Sequence, residues 1–362
     1  MSGIDAASNL ALKALRRLQS VHKPVVRRMR RAERAREHAG FRREVVEVER
    51  EIASMAAGGG PIIVGPWLAE VGYEVLYWIP FLRWLVDAHG ISRDRVIAVS
   101  RGGLEAMYDE LAGRYVDIFD LMTPQELGAA NAQRQAQSEG GGRKQTGASV
   151  LEADLVARVK GHLSVTDAAV CQPAFLFRMF RHVWHGNLPV DVFTTHTRYV
   201  TKALEAEPVR GIPDDFIAVK LYAGPALTAA ESTRAATRAL VEQAARVAPV
   251  VLLETELGID EHRDFDLHGL PNVTSAAALM QPRTNLGVQL SLIARSRFFL
   301  GTCGGLAWVA PFLGTQTVAV YDTDAMLAPH LLLARRAAHD AGAAEFATLD
   351  LRAVRRIGMA TP

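Results

Sequence analysis

At 362 residues the chain has the length of two ordinary domains, and 49% hydrophobic against 22% charged residues is a globular balance with material for a sizeable core. A formal net charge of +2 argues for no particular partner, and the two cysteines, Cys171 and Cys303, lie far apart without metal-ligand spacing, as suits a reducing, cytoplasmic compartment. The N-terminus does not read as a signal peptide, and no apolar stretch is long enough to predict a transmembrane helix.

Residues 1–57 stand apart by charge, with 13 Lys and Arg against 7 Asp and Glu. They read as a basic helical extension with a break at Pro24. Its thin apolar face suits a solvated helix packed on its own domain or a partner subunit; its charge would also suit peripheral contact with anionic lipid on the inner face of a membrane. AAGGGP at 56–61 reads as a linker.

A first α/β domain is expected over 58–210. PIIVG, ending at Gly65, is a short apolar strand. Apolar residues at 75, 76, 79, 82, 85 and 86 predict a helix, with Pro80 kinking it or sitting in its first turn. RVIAVS at 95–100 and YVDIFDL at 115–121 are two further strands, so the order strand, helix, strand predicts a parallel sheet. From 123 to 146 the apolar pattern disappears, and the stretch reads as a mobile surface loop beside the site. A helix resumes over 150–163. His182 and His185 have the spacing of a metal pair, but no neighbouring Cys or carboxylate completes a site, so a pair of ordinary histidines is expected and no metal is assigned.

The second domain, 211–362, alternates strands and helices: DFIAVKLYAG, a helix over 228–247, VVLLETE at 250–256 and NVTSAAALM at 272–280. Then comes TNLGVQLSLIARSRFFLGTCGGLAWVAPFLGTQTVAVYD, over 284–322. It reads as helix, buried strand, glycine turn, a second helix stopped by Gly314, and another strand. Four or five strands in this half predict a doubly wound sheet whose ligands bind at the strands' carboxyl ends. Those ends carry Lys220, Glu254, Glu256 and the turn GTCGG. A glycine turn opening a helix offers free amides to a phosphate; equally, it is a tight turn that holds nothing.

Two such domains resemble the GT-B glycosyltransferases, and more narrowly the lipopolysaccharide heptosyltransferases. The resemblance rests on FFLGTCGGLAWVAPFLGTQTVAVYD in the second domain and on Gly72, Glu74 and Pro80 of GYEVLYWIP in the first. In this chain Tyr73 separates the glycine from the acid, the acid is Glu where the family usually has Asp, and Trp308 replaces a common His. TNLGVQLSLIARSRFFLG is also similar to GT-B fucosyltransferases. The resemblance implies two Rossmann-like domains facing a cleft, acceptor in the first and nucleotide sugar in the second, and metal-independent transfer of a sugar to a hydroxyl of a glycan or glycolipid.

On that basis Thr302, Cys303, Gly304, Gly305 and Leu306 are expected at the donor diphosphate, with Lys220 as a point charge or else a strand-edge lysine facing water. Glu254 or Glu256 would bind ribose hydroxyls or be solvated loop acids. Cys303 would have its thiol pKa lowered by the turn's positive field, or would simply fill space. Glu74 is expected as the general base, with Glu70 second; Glu74 also suits a helix start. No cofactor beyond the nucleoside-diphosphate sugar and no nucleic-acid partner is expected. A nucleotide-sugar epimerase of the same fold, or a non-catalytic scaffold, would share most of these features.

Overall fold

The computed structural model describes residues 28–29, 32–33, 35–37, 39–139, 147–184, 187–205, 207–255, 257, 262–323 and 328–354. The chain forms two compact units, Met1–Arg50 and Glu51–Pro362. In the first, residues 39–50 are helical. The second opens with helical residues 51–57, held by a two-pronged pairing of Arg178 with Glu51 at 2.7 and 2.8 Å. Arg95 then fastens the glycine-rich link by donating to the carbonyls of Ala56, Gly58 and Gly60. No described helix is long and apolar enough to cross a membrane.

The second unit holds two parallel sheets. The first comprises β1 (Ile62–Val64), β2 (Val96–Ser100), β3 (Arg114–Asp117) and β4 (Ala169–Cys171), in the order β3-β2-β1-β4. Every residue of β1 and β2 is buried, as continuous apolar strands covered on both faces must be. The second sheet uses β5 (Ile217–Lys220), β7 (Val250–Leu252), β9 (Val273–Ser275), β10 (Phe298–Thr302), β11 (Thr317–Tyr321) and β12 (Phe346–Asp350). Its order is β12-β11-β10-β5-β7-β9, six strands, all parallel. Tyr222–Ala223 (β6) and Arg263–Asp264 (β8) add a small antiparallel ribbon beyond the end of β5. These are two Rossmann-like α/β layers, as the strand–helix alternation predicts. The sixth strand, β12, is the one not anticipated; among the described residues it pairs only on its β11 side.

Pro124–Glu139 is a helix, which corrects the expected loop over 123–146. Thr123 and Glu126 form a reciprocal cap: the Glu126 carboxylate accepts from the Thr123 amide at 2.7 Å, and the Thr123 hydroxyl accepts from the Glu126 amide at 3.2 Å. Pro124 at the first helical position, followed by helix-forming Ala, Gln and Glu, sustains the helix without an apolar stripe; Leu127 is buried in the core and Ala130 packs against it. The rest of that expected loop, 140–146, lies outside the described residues.

Candidate active site

The carboxyl ends of both sheets meet. After β1 the chain runs through Val71–Tyr73, one turn of π-helix over Glu74–Trp78, and the α-helix Ile79–His89. Pro80 explains the wide turn. It has no N–H to donate to the Leu76 carbonyl, and its ring cannot lie against it. The Tyr199 hydroxyl donates to that carbonyl instead, at 2.9 Å. The Glu74 carbonyl accepts from Ile79, five residues on.

Gly72, at the start of this run, lies against Gly305 at the start of the helix Gly305–Val309. A Cβ on Gly72 would stand 2.5 Å from the Gly305 carbonyl oxygen and 2.7 Å from its N and Cα. A second close approach joins the loop after β2 to the helix Asn285–Arg295: the Gly287 amide donates to the Gly102 carbonyl at 2.9 Å. Arg283 pairs with Asp120 at 2.8 Å beside it. Residues 301–313 are consequently buried throughout.

Glu74 is buried to 1% exposure. Its Oε1 accepts from the Ser100 hydroxyl at the end of β2 and from the Tyr108 hydroxyl, both at 2.5 Å. Its Oε2 is buried and has no hydrogen-bond partner among the described residues. Burial pushes the carboxyl up to about 7, against the lowering effect of the two hydroxyls and of nearby Arg101. Arg101 is itself buried and donates to the Ala69 carbonyl at 3.3 Å. Glu70, four residues before Glu74, instead reaches across to His262 Nε2 at 3.2 Å.

On the second sheet Lys220 does not face water alone, since its ammonium pairs with Asp264 at 2.8 Å. The Thr302 hydroxyl is occupied by the Tyr222 backbone, accepting from its N–H at 2.9 Å and donating to its carbonyl at 3.0 Å. It fastens β6 to the end of β10. Cys303 is buried, and burial pushes its thiol up to about 11, opposite to the lowered thiol and compatible with the space-filling alternative. Gly304 and Gly305 have φ of 119° and 42°, in the region that favours glycine, and the Tyr222 hydroxyl lies 2.7 Å from where a Cβ of Gly305 would be. Leu306 is buried in the short helix that follows. Glu254 meets His268 Nε2 at 3.3 Å. Glu256 and His185 lie outside the described residues; His182 Nε2 accepts from Arg181 Nε at 3.2 Å. Among the described residues no three His, Cys, Asp or Glu gather as metal ligands.

Several groups here have no role assigned from the sequence. Tyr73 and Tyr77 stack at 5.7 Å, and Trp308 meets Tyr73 edge-on at 5.3 Å. The Tyr77 hydroxyl shares a 2.5 Å hydrogen bond with His330 Nδ1, and burial pushes the His330 imidazole down to about 4. Tyr222 lies on His262 with ring centroids 4.2 Å apart. These pairs join residues far apart in sequence, so only their aromatic character, not their partnership, is visible beforehand.

No protein-family model and no curated protein sequence matches the chain. Among solved structures it is similar to a glycosyl transferase of family 9 from Veillonella parvula, at 13% identity over 84% of this chain and 90% of that one, with a TM-score of 0.45. It is also similar to E. coli heptosyltransferase WaaC with ADP, at 14% identity over 82% and 98%, TM-score 0.38. A third likeness is a UDP-GlcNAc 2-epimerase from Methanocaldococcus jannaschii, at 12% identity over 80% and 88%, TM-score 0.33. These likenesses are distant and name no substrate for this chain. Two parallel α/β layers meeting at their strands' carboxyl ends are the GT-B arrangement expected from the sequence.

Proposed function

We propose that this chain is a glycosyltransferase that moves a sugar from a nucleoside-diphosphate sugar to a hydroxyl acceptor in cell-surface glycan or glycoconjugate biosynthesis. The observation that carries the reading is Glu74. A carboxyl group with one bare oxygen, buried beyond the end of a parallel strand and pushed up to about 7, is poised to exchange a proton at neutral pH.

In this reading Glu74 takes the proton of the acceptor hydroxyl as its oxygen bonds to the anomeric carbon. The bond to the diphosphate breaks, and its electron pair leaves with the diphosphate. The turn Thr302–Leu306 receives that growing charge through its backbone amides, and Lys220 turns from Asp264 toward it. Glu254 takes the ribose. Both the turn and Glu74 are enclosed, so the glycine contacts at 72/305 and 102/287 have to part before substrates enter. Glu70 is paired with His262 in this closed arrangement, and the reading gives the proton to Glu74.

The test is a panel of nucleotide sugars, followed by release of the nucleoside diphosphate and by the fate of the sugar. A transferase releases diphosphate slowly to water and quickly with acceptor; an epimerase returns the altered sugar nucleotide. Glu74→Gln is expected to lower turnover about a hundredfold or more with donor affinity little changed, and Glu70→Gln to spare it. Near-normal turnover in Glu74→Gln would remove Glu74 from the chemistry.

A further inference from the structure

We propose that Ser100 and Tyr108 are positioning residues that reserve Oε2 of Glu74 as the proton-accepting oxygen. The proposal rests on the reading of Glu74 as the base. Two hydroxyls from two elements, the last residue of β2 and the end of the helix Glu105–Tyr108, converge on the same carboxylate oxygen, Oε1. Both side chains are buried, at 0% and 1% exposure, so neither hydroxyl has water as an alternative partner.

Two bonds on one oxygen and none on the other constitute a choice. A proton arriving at Oε2 leaves Oε1 as the carbonyl oxygen of a neutral acid, which still has two lone pairs and keeps both donors. A proton arriving at Oε1 would displace a donor and strand a buried hydroxyl. The pair therefore accommodates both protonation states of Glu74 without rearranging, and only Oε2 can cycle. In Glu74→Gln an amide oxygen in the Oε1 position keeps both hydrogen bonds, while the amide N–H groups take the unpartnered Oε2 position.

Other charged groups face Glu74. Arg101 favours its ionised form, while Asp117, and Tyr115 were it ionised, oppose it. Burial pushes the Tyr108 and Tyr115 hydroxyls well above the ordinary tyrosine range, so both remain donors throughout the working pH range.

The experiment follows kcat against pH in the full chain and in Ser100→Ala, Ser100→Thr and Tyr108→Phe. In parallel, the Glu74 carboxyl is titrated by isotope-edited infrared difference spectroscopy, which needs no turnover. Losing one hydroxyl destabilises the anion. The carboxyl titration and the acidic limb of kcat are expected to move up together by about one pH unit in Ser100→Ala and Tyr108→Phe, with turnover recovering at high pH and Ser100→Thr near wild type. A uniform fall in kcat at every pH, with the carboxyl titration unmoved, would overturn the positioning role while leaving Glu74 as base. A carboxyl titration that moves while turnover ignores both it and Glu74→Gln would overturn the base reading, and this proposal with it.

Discussion

Glu74 holds its proton in the folded protein over a pH range in which the unfolded chain has already lost it. Its folded pKa of about 7 lies above the ordinary glutamate value of 4.5, so between those values the native state binds more protons and stability falls as pH rises. The cost above pH 7 is on the order of 3 kcal/mol. Glu74→Gln should therefore gain stability relative to wild type on going from pH 4.5 to pH 8, as denaturant melts at the two pH values will read. His330 works in the opposite sense. With its folded value of about 4 below the usual 6.5, it contributes stability fully present above about pH 6.5 and lost as pH falls toward 4. Glu74 is legible in the sequence through its distance to Pro80. Its hydroxyl partners are not, because they stand 26 and 34 residues away. Lys220 is likewise legible as a strand-end cation, while the carboxylate that neutralises it is 44 residues distant and belongs to a ribbon with no pattern of its own.

At the level of elements, the π turn at Glu74–Trp78 shows a local rule working through a distant partner. Pro80 predicts a disturbance in the helix, and the disturbance is there; that it takes the form of a wide turn depends on Tyr199, which satisfies the carbonyl left over. Tyr199→Phe should strand that carbonyl and cost about 1–3 kcal/mol in urea unfolding, with the far-ultraviolet spectrum nearly unchanged. The helix Pro124–Glu139 was hidden for another reason. Apolar periodicity is the strongest helix signal, and this helix has almost none; its Thr-Pro-Gln-Glu cap was the readable sign. β12 escaped because its residues, none of them buried, lie at a sheet edge, away from the continuous apolar runs that mark the central strands.

For the whole molecule, the two sheets were legible because their strands are short, apolar and separated by helices. How closely they approach was not, since glycine announces permission for contact and not the contact itself. Gly72→Ala tests that closeness. The added methyl would press on Gly305 backbone, which cannot swing aside, so the variant should lose about 1–3 kcal/mol or open. Opening would show as faster maleimide labelling of Cys303, one of two buried thiols, with Cys171 as the internal control.

The first sheet has a different consequence during synthesis. β1 lies between β2 and β4, and the Ile62–Val64 segment is buried on all three residues only when both neighbours are present. β2 follows soon after it on the ribosome, but β4 emerges about a hundred residues later, roughly 5–20 s at ordinary elongation rates. For that interval the nascent chain presents an apolar parallel edge with nothing beside it, the kind of edge that recruits other strands. Nascent chains stalled before Ala169–Cys171 has emerged from the ribosome should bind chaperones, and chains long enough to expose that strand should release them.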